Sequence, residues 1–175
     1  MADNEKKLDE FTSQTQFGAF FCWAAASRNV ANYYAIIGGT QNAHIQCSIA
    51  AAMFPRLVCC PNPDNGPCDK PWHLEKALKH VGHYTRRRPN AISWETLVRE
   101  IDAGRPVGAH IAWRSGGGHF VVITGYFGNL SGTEQVYVDD SQGGEQFIPF
   151  DDLKFNYENR EAGGGTFDHT YYTKP

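Results

Sequence analysis

A chain of 175 residues that is 41% hydrophobic and 20% charged is long enough to bury one core and leaves little room for a second domain. Its formal net charge of −3 argues against a nucleic-acid partner, which needs a basic face. No stretch approaches the ~18 consecutive apolar residues of a membrane helix. The composition is that of a folded globular protein and excludes a disordered one.

Residues 1–15 are polar and are predicted to be a flexible lead-in to one domain over 16–175. The opening Met1-Ala2-Asp3-Asn4-Glu5-Lys6-Lys7 has no apolar stretch behind it, so no signal peptide is expected. A cytoplasmic protein, an excised domain and delivery by a specialised secretion system all fit. From Cys22 the chain is rich in alanine and apolar on more than one face, which predicts a largely buried helix stopped at Gly38-Gly39. A second helix is expected from His44 to Met53, ahead of Pro55. A third is expected from Pro71, a good first-turn residue, to Gly82. The run Arg86-Arg87-Arg88, closed by Pro89, reads as a solvated loop. A fourth helix has Ser93 as N-cap, carries Glu95 in its first turn, buries Leu97 and Ile101, and ends at Gly104.

After Pro106 the period turns from helical to extended. Strands are expected at Val107–Trp113, His119–Tyr126, Gln135–Asp139, Gln146–Pro149 and Thr166–Thr173, with Ser115-Gly116-Gly117-Gly118 as a turn. A helical half (16–104) followed by a β half (105–175) makes the fold class α+β.

Five cysteines leave at least one unpaired. Cys47, Cys59, Cys60 and Cys68 cluster in a segment rich in Pro and Gly. Two disulfides are favoured there over free buried thiols. A structural zinc site is disfavoured because Cys-x-x-Cys half-sites are missing. Cys22 stands outside the cluster and is the natural odd thiol. It enters its helix from the polar loop Gln14-Thr15-Gln16-Phe17-Gly18, where the positive end of the helix favours a thiolate. His119 follows three glycines at the start of an apolar strand, where a general base has room beside a substrate. Asp139-Asp140 ends the next strand, within reach of His119 in a hairpin, and a carboxylate there can orient the imidazole.

The order Cys, His, Asp on these elements resembles the papain-like cysteine peptidases. Gln16 stands six residues before Cys22, and Trp23 follows it, as in that family's nucleophile segment. Gly-His-Phe-Val-Val-Ile-Thr-Gly-Tyr at 118–126 is similar to its histidine strand, and Val-Tyr-Val-Asp-Asp-Ser at 136–141 to the strand of its third member. The resemblance is to compact bacterial members, among them bacteriocin-processing and plant-pathogen effector peptidases, and in these it favours Asp140 over Asp139. It implies that Gln16 donates to the oxyanion beside the backbone N–H of Cys22. It also implies that Trp23 packs near the His–Asp pair, although a core aromatic explains Trp23 equally well. The function expected is peptide-bond hydrolysis through a thioacyl-enzyme, acting on a protein or peptide substrate without a cofactor or metal. An effector or toxin role, with an immunity protein covering the cleft, is compatible with so small a chain. Two other readings stay open: a degenerate peptide-binding module, and a transglutaminase or deamidase acting on side-chain amides.

Overall fold

The computed structural model describes residues 4–60, 66–128, 134–158 and 164–175. In chain order these form β1 (Asn4–Lys7), α1 (Cys22–Ile37), α2 (Gln46–Met53), α3 (Leu74–His80), β2 (Tyr84–Pro89), α4 (Trp94–Asp102), β3 (Val107–Trp113), β4 (Gly118–Gly128), β5 (Gln135–Asp140), β6 (Gly144–Pro149), α5 (Phe150–Phe155) and β7 (Gly165–Thr173). The strands make one antiparallel sheet in the order β2-β7-β3-β4-β5-β6, with β1 added beside β4. The fold is therefore α+β, as predicted.

Helix α1 is the central element. Trp23 to Ala26, Val30, Ala31, Tyr33 and Tyr34 are all buried, because α2 and α3 cover one side of the helix and β4 the other. Small alanines let these neighbours approach closely, and their high helix propensity keeps the buried segment helical. The helix stops where Gly39 takes a left-handed φ of 68° and the Thr40 N–H reaches back to the Ala35 carbonyl at 2.8 Å. In α4, Ser93 accepts from the Thr96 N–H and caps the helix as expected.

Four elements differ from the sequence reading. Residues 4–7, expected to be flexible, form β1 against Gly125–Gly128 of β4. Strand β3 reaches only to Ile123 along that edge, so the rest of β4 offers unpaired N–H and C=O groups that β1 satisfies. The arginine run belongs to a strand, β2, at the edge of the sheet. Its side chains stay exposed, and charges of this kind keep a sheet edge from pairing with other chains. Helix α3 begins at Leu74, leaving Pro71-Trp72-His73 extended. Helix α5 has only six residues, too short for a periodic signal.

The cysteine loop is closed by two disulfides, Cys47–Cys60 and Cys59–Cys68, and Cys22 is free and buried. The prolines at 61 and 63 lie outside the described residues. Among the described residues no helix is long and apolar enough to cross a membrane.

Candidate active site

Cys22 is the first residue of α1, and Phe21, which precedes it, provides no side-chain cap. The Ala24 and Ala25 N–H groups turn to the Phe21 carbonyl at 3.0 and 2.9 Å, whereas the Cys22 N–H meets no backbone acceptor among the described residues, and the positive end of the helix lies at the sulfur. The loop leading to Cys22 is held by two side chains from elsewhere. Asp69 accepts the N–H groups of Phe20 at 2.7 Å and Ala19 at 3.0 Å. A Cβ on Gly18 would come within 2.5 Å of that carboxyl, so a larger residue there would push Asp69 away from the loop. Buried Gln46 accepts the Phe17 N–H at 2.9 Å and donates to the Thr15 carbonyl at 2.8 Å. Asp69 directly follows Cys68, so the Cys59–Cys68 disulfide steadies the segment that steadies the loop.

His119 and Asp140 come from neighbouring strands β4 and β5, and both are buried. The His119 Nε2–H donates to Asp140 Oδ1 at 2.8 Å. With Nε2 taken by Asp140, Nδ1 is the nitrogen left for the Cys22 sulfur, which lines the same cleft and acts on the imidazole. Burial pushes the His119 pKa down, but the hydrogen bonds and negative charges of Asp140 and Cys22 outweigh it and carry it up to about 10. Burial pushes Asp140 up, yet the hydrogen bond and charge of His119, with donation from the Gln142 N–H and the Tyr157 hydroxyl, bring it down to about 2. Asp140 Oδ1 also accepts the Gln142 N–H at 2.8 Å, while Oδ2 accepts the Tyr157 hydroxyl at 2.7 Å. Such a carboxylate stays ionised and fixes the imidazole tautomer.

Asp139, one residue earlier, points to the opposite face of β5 by strand alternation. It accepts from Asn29 of α1 at 3.1 Å and does not meet His119. Its contact ties the nucleophile helix to the sheet. Gln16 is brought close to the pair through Ser141, whose hydroxyl donates to Gln16 Oε1 at 2.9 Å. The Gln16 amide, however, donates to the carbonyls of Gly18 at 2.6 Å and Ala19 at 3.0 Å. Those carbonyls can only accept, which fixes the orientation of the amide. Trp23 is not beside the His–Asp pair: it is fully buried against Phe21 and Phe54, and its indole N–H donates to the Lys70 carbonyl. A tryptophan that the sequence reading did not single out, Trp113 of β3, lies parallel to His119 with centroids 6.1 Å apart and also stacks on Tyr157. Trp113, Tyr157, Asp69 and Gln46 carry no sequence signal of their own, since each acts on a partner distant in the chain.

Cys22, Trp113 and His119 open onto a cleft of about 500 Å³. One wall includes Phe20 and Trp72, from the loops that lead into α1 and α3, and the sheet wall includes Phe120 and Tyr171. The volume and the largely aromatic lining suit part of an extended peptide.

A thiol, an imidazole and a carboxylate gathered at the junction of a helical layer and an antiparallel sheet are the groups that thiol-based acyl transfer needs. The chain belongs to the Peptidase_C39 like family, which matches residues 9–163. It is a papain-like cysteine peptidase, and papain-like structures share its fold. Bromelain from Ananas comosus, in complex with the E64 inhibitor, is similar at 13% identity over 98% of this chain and 99% of its own, with a TM-score of 0.58. Xylellain, a cysteine protease from Xylella fastidiosa, is similar at 14% identity over 98% of this chain and 86% of its own, with a TM-score of 0.57. The proform of the ragweed pollen allergen Amb a 11, a cysteine protease, is similar at 16% identity and a TM-score of 0.58 over 98% of this chain, which spans 65% of that protein. No curated protein matches by sequence.

Proposed function

We propose that the chain hydrolyses peptide bonds with Cys22 as nucleophile, His119 as general base and acid, and Asp140 as the group that orients His119. The observation that carries this reading is that Cys22 and His119 line one cleft while His119 is held by the buried Asp140 at 2.8 Å. The thiol proton passes to His119 Nδ1, and the thiolate adds to the substrate carbonyl carbon. The carbonyl oxygen becomes an oxyanion, which the uncapped Cys22 N–H can receive. Gln16 supplies a second hydrogen by turning one N–H away from Ala19, the longer of its two bonds. The C–N bond then breaks as His119 returns its proton to the leaving amine. Water, activated by the same imidazole, cleaves the thioester and regenerates the thiol.

The two disulfides support a working place outside a reducing cytosol, which is compatible with a secreted or delivered effector peptidase. A binding module without catalysis would not need all three groups in contact. The test is hydrolysis of a denatured protein by the full chain and by Cys22→Ala and His119→Ala. Each substitution should remove nearly all turnover, because nucleophile and base act as a unit. A folded Cys22→Ala protein that still cleaved at the parent rate would refute the assignment.

A further inference from the structure

On the sheet wall of the cleft, next to the proposed catalytic groups, three side chains converge that the peptidase chemistry does not use. His110 comes from β3, and Asp168 and His169 come from β7. His110 Nδ1 lies 2.6 Å from Asp168 Oδ1, and His169 Nδ1 lies 3.1 Å from the same oxygen. A regular strand would send Asp168 and His169 to opposite faces. Here the pairing of β7 with β3 slips: His110 faces His169, but Ile111 faces Phe167. Asp168 is the extra residue of this β-bulge. Its neighbours Phe167 and Thr170 are buried, while Asp168 and His169 are both half-exposed. The bulge therefore re-aims Asp168 onto the face that carries the two histidines.

The surroundings hold this arrangement in place. The Asn90 N–H donates to the Asp168 backbone carbonyl at 2.6 Å, with Asn90 in a left-handed φ of 69°. The His110 ring packs on Phe120 at 4.9 Å between centroids and lies against Gly118, where any Cβ would collide with it. Arg87, a cation on the same cleft, is paired with Glu75 at 3.3 Å.

We propose that His110, Asp168 and His169 form a binding site for a divalent transition-metal cation of the Zn²⁺ class. Their ligand atoms lie within 4.8 Å of one another, and small side-chain rotations bring all three to the roughly 2.0–2.2 Å that zinc takes to nitrogen and carboxylate oxygen. Two imidazoles and one carboxylate are a donor set that selects zinc and its neighbours over magnesium or calcium. Three protein ligands leave a coordination position open, and the open side faces the cleft. A bound ion would displace the protons that the two Nδ1 atoms now share with Asp168 Oδ1. Gly118 and Phe120, which wall the site, flank His119, so metal occupancy changes the cleft beside the nucleophile.

The test uses the untagged full chain carrying Cys22→Ser, so that no catalytic thiol competes for metal and the result does not depend on the peptidase reading. Calorimetric titration with Zn²⁺ should show a single equivalent bound. His169→Ala and Asp168→Asn should each weaken binding by at least about tenfold, while the metal-free proteins keep the parent melting temperature. Asp168→Asn, which preserves shape, serves if His169→Ala fails to fold. Co²⁺ should give visible ligand-field absorption without a sulfur charge-transfer band. Failure of the parent to bind Zn²⁺, or equal binding by parent and variants, would overturn the proposal.

Discussion

Asp140→Asn isolates the charge of the third group from its shape. The amide keeps an oxygen toward His119 and the Gln142 N–H, and it turns its NH₂ toward the Tyr157 hydroxyl, which can accept. Asp140→Ala would instead leave His119 and Tyr157 as buried donors without their acceptor, and would confound activity with stability. With asparagine the imidazolium keeps its hydrogen bond but loses the carboxylate charge at the acceptor. Hydrogen bonds to charged groups contribute about 1.5–3 kcal/mol and ordinary ones about 0.5–1.5 kcal/mol, a difference of about 1–1.5 kcal/mol, or about 5- to 10-fold in rate. Turnover of a denatured protein should fall by that factor in a protein that still melts cooperatively. Alkylation of Cys22 by iodoacetate gives a readout independent of substrate, because its carboxylate is drawn to the imidazolium and the reaction slows when His119 deprotonates. Asp140 is one of the groups that raise His119 to about 10, so the alkaline fall in alkylation should move to lower pH. A folded Asp140→Asn protein with the parent turnover and the parent pH profile would refute the orienting role.

Stability should fall at both ends of the pH range. The His119 contribution is complete below its unfolded value of about 6.5 and is lost as pH rises through about 10, whereas that of Asp140 is complete above about 3.8 and is lost as pH falls toward about 2. Melting temperatures against pH check both limbs, and Cys22→Ala, which removes one raising partner, should start the alkaline loss earlier. Gln16→Ala should lower turnover on the order of 100-fold with alkylation near the parent rate. Loss of both together would assign Gln16 to holding the Gly18 and Ala19 carbonyls and would remove it from the oxyanion. Cys59→Ser with Cys68→Ser should cost about 2–4 kcal/mol in chemical denaturation. It should also slow alkylation of Cys22 through Asp69, and an unchanged alkylation rate would show that the loop keeps its shape without the disulfide.

Much of this protein is legible in the sequence because the signals are local. Alanine content and the Gly38-Gly39 stop define α1. The Ser93 cap defines the start of α4, and apolar runs after Pro106 mark the β half. The spacing around Cys22, with His119 and the aspartate pair following, indicates the chemistry and the family. Strand alternation sends Asp139 and Asp140 to opposite faces, but only the pairing of β5 with β4 decides which of them meets His119. The same limit hid β1 and β2: their residues are polar, and what makes them strands is the unpaired edge of a neighbour far away in the chain. It also separated the two tryptophans, since Trp23 carries the family pattern yet lies in the core, while Trp113 reaches the imidazole from the end of β3. The meeting of His110, Asp168 and His169 depends on a one-residue slip between two strands 58 positions apart. Periodicity along a chain reports which face a side chain takes, but register between strands is set by hydrogen bonds across the sheet, and those exist only once the chain has folded.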